Sequence, residues 1–301
     1  NGNSAYADEN GNYSIPGDGN LTSTLEGRWF NVNNNSGSDA SITQNTLNPN
    51  VLHNASNSSE SVRAQVNGYL QSNIVRDFTL NYAPSFPTIG SQTSFPVNTG
   101  VSGTCNAFYD YSSINFYNAG GGCSNTAFSV IVHHEYGHHL VNVAGSGQGE
   151  YGEGMGDVMG VLLTGDSHCG RGFYEGECNA GIRNADNDCQ YQASGCSSCG
   201  SAIHACGQLI SGVVWDIMEQ LPDEIDIVSN IVVNSILLHN GSGIDEAIAI
   251  DYLTLDDDDD DIGNGTPHYS EVAYGFSVHG IPIPLLDFLN FAFPNGLPID
   301  V

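Results

Sequence analysis

Apolar and polar residues alternate in two rhythms along this chain of 301 residues. Up to about residue 50 the apolar positions come in short runs, Asn12-Tyr-Ser-Ile15 and Arg28-Trp-Phe-Asn-Val32, among Asn, Gly and Ser. A period of two broken by turn residues predicts a few short strands. From Ser59 to Phe78 the spacing changes, and Val62, Val66, Tyr69, Leu70, Ile74 and Phe78 fall on one helical stripe. Pro84, Pro87 and Pro96 then enforce a loop or extended segment. Two strand-like runs follow, Cys105 to Tyr111 and Ser113 to Tyr117, and then a turn at Gly120-Gly-Gly-Cys123. Helical patterns are predicted over Ala127 to Val143, Gly154 to Leu163, Ile203 to Leu221 (stopped by Pro222), Ile225 to His239 and Ile244 to Leu255. A cysteine-rich insert occupies roughly 165 to 200. Strands first and helices later make the class α+β.

Three segments are expected. Residues 1–50 form a short β-rich piece, read as the tail of a domain whose start is missing, and 51–280 form the main domain. Residues 281–301 alternate proline with apolar side chains and read as a linker or the start of a following domain. The chain opens at Asn1 with neither Met nor a signal-peptide pattern, which is expected of a processed or excerpted product.

Composition narrows the function classes. Hydrophobic residues make up 40% of the chain, enough for a core. Against 34 acids stand five basic residues, all arginine, for a net charge of −29. Such a surface repels nucleic-acid phosphates and anionic membranes. The longest apolar run, Ile225 to Leu238, is broken by Asp226, Ser229, Asn230 and Asn234 and is too short for the roughly 18–20 residues of a membrane span. Six of the eight cysteines lie between Cys169 and Cys206. In a chain with sequons at Asn12, Asn20 and Asn54, they read as disulfides of a secreted protein, with Cys105 expected to pair with Cys123. The rival reading, a zinc ribbon through Cys196-Ser-Ser-Cys199, lacks a second pair of similar spacing.

The chemistry concentrates in Val132-His-His-Glu-Tyr-Gly-His-His-Leu140. His134 and His138 are four apart, so on a helix both imidazoles leave one face, as two ligands of a tetrahedral Zn2+ require, with Glu135 beside the open position. Burying these groups in so apolar a helix without a metal would be costly. His133 and His139 have no histidine four residues away and read as helix-face residues. Beyond a short loop, Glu153 and Asp157 repeat the spacing of four. One can be the third ligand while the other accepts the free ring N–H of a ligand histidine, and Glu150 competes for the ligand role.

These motifs resemble a gluzincin zinc metallopeptidase, thermolysin-like in plan and closest to the fungalysin-like group. The resemblance covers about residues 51 to 280. It rests on His134-Glu-Tyr-Gly-His138, Glu153-Gly-Met-Gly-Asp157, Cys105-Asn-Ala-Phe-Tyr109 and Ile203-His204 with the helix beyond it. It implies a two-lobed zincin domain, with a β-rich N-terminal lobe and a helical C-terminal lobe, in a secreted zinc endopeptidase acting on protein or peptide. His134, His138 and Glu153 would then hold Zn2+, Asp157 would orient a ligand histidine, and Glu135 would be the general base. His204 would stabilise the transition state, Arg183 would contact the substrate carbonyl, and Asn106 and Ala107 would belong to the edge strand that binds the substrate backbone. The family acid before the transition-state histidine is missing from Cys199-Gly-Ser-Ala-Ile203, and for the oxyanion-binding tyrosine only Tyr151 offers itself.

One acidic run remains. Asp256, Asp257, Asp258, Asp259, Asp260 and Asp261 stand in sequence, read either as a solvated loop or as a structural Ca2+ site without EF-hand spacing. A rival in another class is a catalytically silent metallopeptidase-fold protein acting in surface assembly or adhesion. A silent scaffold could lose Glu135 freely, and here it is retained.

Overall fold

The computed structural model describes residues 2–286 apart from 9, 18, 46, 47, 193 and 194, and for 195–197 the backbone alone. Most of the expected segment 281–301 lies outside the described residues. The first lobe rests on a four-stranded sheet of β2 (Phe30–Asn34), β4 (Phe95–Val101), β5 (Ala107–Tyr109) and β6 (Ile114–Tyr117), in the order β2-β4-β6-β5. β2, β4 and β6 run parallel, and β5 closes one edge antiparallel to β6. A separate antiparallel pair, β1 (Leu21–Thr24) and β3 (Ser41–Gln44), precedes the long helix α1 (Glu60–Tyr82). The strand expected at Asn12 to Ile15 does not form.

Phe30, Val32, Phe95, Val97, Ile114 and Phe116 of the sheet are buried in the main core. The division expected near residue 50 therefore runs between β2 and β4, two strands paired along five residues. β4 is also the segment in which three prolines suggested a loop or extended chain. Pro96 stands one residue into the strand and leaves the pairing intact.

α1 starts where expected, with the Ser59 hydroxyl accepting from Val62 N at 3.3 Å. Its buried face differs from the expected stripe. Leu70 and Ile74 are 49% and 39% exposed, whereas Ala64, Gln65, Gly68, Ser72, Val75, Arg76 and Thr79 are buried. Small side chains let the helix approach the sheet closely, and the polar ones carry their own partners. Gln65 Oε1 accepts from Ala40 N at 2.6 Å, and Arg76 Nε donates to Ile89 O at 3.1 Å. The Arg76 guanidinium also lies 3.7 Å from the centre of the Trp29 ring, where Arg28 lies at 4.3 Å.

The second lobe is helical: α2 (Ser129–Ala144), α3 (Gly149–Thr164), α4 (Ile203–Gln220), α5 (Ile225–Leu238), α6 (Glu246–Asp256) and α7 (Tyr269–Val278). α3 begins five residues before the predicted start, so Glu153 lies within it. α7 falls where the sequence beyond the acidic run gave no helical prediction. α2 joins the lobes. Its Tyr136 ring meets Phe30 and Phe95 of the sheet edge-on at 5.6 and 6.0 Å, and its other side packs on α3.

Short strands β7 (His168–Cys169), β8 (Arg183–Asn184), β9 (Tyr191–Gln192) and β10 (Gly195–Ser197) organise the cysteine-rich insert. Cys105 pairs with Cys123 as expected, Cys189 pairs with Cys199, and Cys206 is also disulfide-bonded. The Cys189 partnership takes Cys199 out of any zinc ribbon. Two cysteines depart from the all-disulfide expectation: Cys169 is a buried thiol facing Asp157 O at 3.8 Å, and Cys178 is an exposed thiol.

Candidate metal centre

The zinc motif lies on a helix buried almost all round, since 11 of the 16 residues of α2 are buried. Two glycines set how closely it meets α3. A Cβ on Gly137 would lie 2.8 Å from the Gly156 Cα, and one on Gly156 would lie 2.6 Å from His134 Nδ1. The motif glycine thus allows the helix contact, and Gly156 leaves room for the imidazole.

Across that contact α3 supplies Glu153, whose Oε2 lies 3.4 Å from His134 Nε2 and 3.7 Å from His138 Nε2. One ligand atom from each of the three residues falls within 4.8 Å of the others. Both imidazoles are held in the tautomer a metal needs. His134 Nδ1 donates to Asp157 Oδ1 at 2.8 Å, and His138 Nδ1 donates to Gln148 Oε1 at 2.8 Å. Gln148 is fixed in turn because its Nε2 donates to His138 O at 3.0 Å. Both Nε2 atoms therefore face the Glu153 carboxylate. Burial opposes the His134 charge, but Asp157 and Glu153 raise its pKa to about 10, so a cation binding there would displace the Nε2 proton. Glu153 Oε2 is buried without a hydrogen-bond partner among the described residues. A buried carboxylate oxygen facing two imidazole nitrogens is a donor set that Zn2+ satisfies. Glu150, the competitor, stands outside this cluster.

Behind the ligands lies a chain of charge. Asp157, its side chain 2% exposed, accepts from Arg183 Nε at 2.5 Å and Nη2 at 2.6 Å. Pairing of Cys169 with Arg183 across β7 and β8 brings the guanidinium there. Burial opposes ionisation of Asp157, but Arg183 and the His134 hydrogen bond hold its carboxyl well below the usual range. Burial likewise opposes the Glu153 charge, and the surrounding imidazoles outweigh it, lowering its pKa to about 2. Glu135 is buried and pushed up to about 7, chiefly by desolvation, which outweighs the His134 and Arg183 charges. Its neighbours His133 and His139 turn to other partners: His133 Nε2 meets Gln71 Oε1 at 2.9 Å, and His139 Nε2 meets Gln92 Oε1 at 2.8 Å.

The open side is a cleft of about 360 Å³ lined by Glu135, Arg183, His204, Asn106 and Ala107, among others. His204, near the start of α4, is half-exposed, with Nε2 3.2 Å from Glu153 Oε2. Tyr151 is elsewhere, fully buried with its ring 4.1 Å from that of His239, which corrects its expected place at the oxyanion. Asp110 N donates to Ser113 O and Asn115 Nδ2 donates to Phe108 O, so these even-numbered residues face β6. Ala107 and Tyr109 consequently turn their backbone groups to the free edge of β5.

Sequence reasoning missed Gln148 and Tyr109. The signals were a lone long amide in a glycine-rich loop beside the zinc helix, and strand alternation counted from Ala107. It also treated the six aspartates as one unit. Only Asp257, Asp258 and Asp259 cluster, whereas Asp256 turns inward and accepts from Thr266 Oγ1 at 2.5 Å, His268 N at 2.7 Å and His268 Nδ1 at 2.6 Å.

No protein-family profile matches the chain, nor does any curated protein sequence. The fold does have a counterpart. The structure of the precursor of protealysin, a metalloproteinase from Serratia proteamaculans, matches with a TM-score of 0.63 over 87% of this chain and 90% of that one, at 12% identity. At that identity the likeness speaks for the fold alone, a two-lobed α+β metallopeptidase fold of thermolysin-like plan.

Proposed function

We propose that the protein is a secreted zinc-dependent endopeptidase of the gluzincin type, closest in its motifs to the fungalysin-like group. The observation that carries this reading is the triad of His134, His138 and Glu153, with both Nδ1 atoms engaged by Asp157 and Gln148 so that both Nε2 atoms turn to an unpartnered Glu153 oxygen. Bound there, Zn2+ supplies a Lewis acid that acidifies water and polarises a peptide carbonyl.

The remaining work falls to the chain. The outward backbone groups of Ala107 and Tyr109 take a peptide as an added strand, and Asn106 flanks them in the cleft. The Glu135 carboxylate accepts the proton of the attacking water as its oxygen bonds the carbonyl carbon. As the C–N bond breaks, Glu135 returns that proton to the leaving nitrogen. His204 donates to the oxygen on which charge develops. Arg183 keeps Asp157, and through it His134, in place, and its Nη1, without a partner among the described residues, is left for a substrate carbonyl.

The disulfides support an extracellular site of action. For Ca2+, the support is the grouping of Asp257, Asp258 and Asp259, with Asp257 Oδ1 buried and unpartnered. Hydrolysis of an unfolded protein, with and without a chelator and beside Glu135→Gln, tests the enzyme reading. Zinc-dependent cleavage lost in the variant supports it. One bound zinc without cleavage would replace it with a silent scaffold of assembly or adhesion.

A further inference from the structure

The cleft holds an aromatic side chain that the metal chemistry does not use. Tyr111 lines it, is 66% exposed, and carries a φ of 71°. Bulky residues rarely adopt that backbone region, which glycine or asparagine would occupy with less strain. The turn that enforces it is tightly tied. The Asp110 carboxylate accepts from the amides of Ser112 and Ser113 at 3.0 and 2.7 Å and from their hydroxyls at 2.9 and 3.0 Å. A ring held in solvent at a strained position, at the mouth of a cleft, calls for a reason beyond packing.

Beside it stands a second ring. Tyr109 lies 5.5 Å away, centroid to centroid, and is fixed through its hydroxyl, which accepts from Asn142 Nδ2 at 3.0 Å and donates to His139 Nδ1 at 3.1 Å. The pair forms an aromatic corner at the C-terminal end of β5. A peptide added antiparallel to the free edge of β5 runs with its amino-terminal side towards that end.

We infer that Tyr111 is a specificity-determining residue whose ring, with that of Tyr109, walls a subsite for an aromatic or large apolar side chain two or three residues before the scissile bond. The inference rests on the peptidase reading for its geometry. An aromatic guest would stack offset or edge-on against the pair and shield both faces from water. The strain at Tyr111 then has a use, because the turn aims the ring before any peptide arrives.

Two peptide series test this with the full chain loaded with zinc. One varies a single residue between Ala and Phe on the amino side of the scissile bond, and the other does so at the matching places on the carboxyl side. Wild type is expected to cleave the amino-side Phe peptide about tenfold better in kcat/KM than its Ala partner, the scale of one buried aromatic contact. Tyr111→Phe keeps that ratio, and Tyr111→Gly, which relieves the positive φ and so remains folded, brings it close to one. A ratio unchanged in Tyr111→Gly, or a preference confined to the carboxyl side, overturns the inference. The same peptides, labelled and titrated onto zinc-loaded Glu135→Gln, read binding without turnover. Preferential binding there, with no cleavage by wild type, would sink the peptidase reading and leave the subsite standing. Equal binding of all peptides would sink the subsite.

Discussion

Two acid-rich regions of this molecule treat their carboxylates in opposite ways. Around the candidate metal centre each buried acid is individually matched: Asp157 is clamped by Arg183 and His134, and Glu153 faces three imidazoles. At the end of α6 the aspartates from 258 to 261 stand exposed, and their donors come from the loop itself, such as Asp261 N to Asp259 Oδ1 and Asn264 Nδ2 to Asp259 Oδ2. Asp256 marks the border, one helical residue that turns inward and gathers three donors. Charge alone does not separate these regions. A buried carboxylate must be matched by cations or donors, whereas an exposed one is matched by water.

The largest effect is expected where a buried acid loses its ionisable group. Glu135→Gln should lower hydrolysis at least about a hundredfold while leaving the zinc content at its wild-type value, read by metal analysis beside a peptide assay. Next in size is Arg183→Met, which strands Asp157 as an uncompensated buried charge. It should cost about 3–5 kcal/mol in urea unfolding and weaken zinc binding about tenfold or more. If Arg183→Met left stability untouched, the two regions would be energetically alike and the contrast would fail.

The border residue predicts a pH effect. Burial lowers the His268 pKa, but Asp256 and Glu224 outweigh it and raise it above the ordinary histidine value. The stability from this ion pair is therefore complete below the unfolded pKa of about 6.5 and declines as pH rises through the folded value. His268→Gln should flatten that decline, measured as unfolding midpoints across the neutral range. The smallest effect belongs to the exposed run. Asp258→Asn should shift stability by no more than about 0.5 kcal/mol in calcium-free buffer. Added Ca2+ should raise the wild-type melting temperature, and Asp257→Asn should remove the rise. No rise in wild type would leave the run a solvated loop.

How legible all this was differs from residue to residue. The helix carrying His134 and His138 could be read because its pattern is local: spacing of four on a helix fixes which imidazoles share a face. Glu153 and Asp157 followed by the same rule one helix later, although their separate roles came through the family resemblance. α1 shows the limit. Its existence was visible and its buried face was not, because helix and sheet approach through Ala64, Gly68 and Ser72, which carry little hydrophobic signal. Gln148 was hidden because its role depends on a loop bringing it back to a histidine ten residues earlier. The free thiols were hidden because cysteine parity is silent about geometry, and Cys169 is spoken for by its place against Asp157.

The pairing of β2 with β4 bears on how the molecule can be cut. A fragment started at residue 51 would keep the whole His134–His138–Glu153 cluster, yet lose the strand that covers one side of β4. The newly bared edge carries Phe95 and Val97, and an unpaired apolar strand edge is a template for other chains. Such a fragment should aggregate rather than yield a trimmed, soluble domain, and limited proteolysis of the native protein should spare the backbone between Phe30 and Asn34. The polar leading segment thus acts as a guard on the sheet edge.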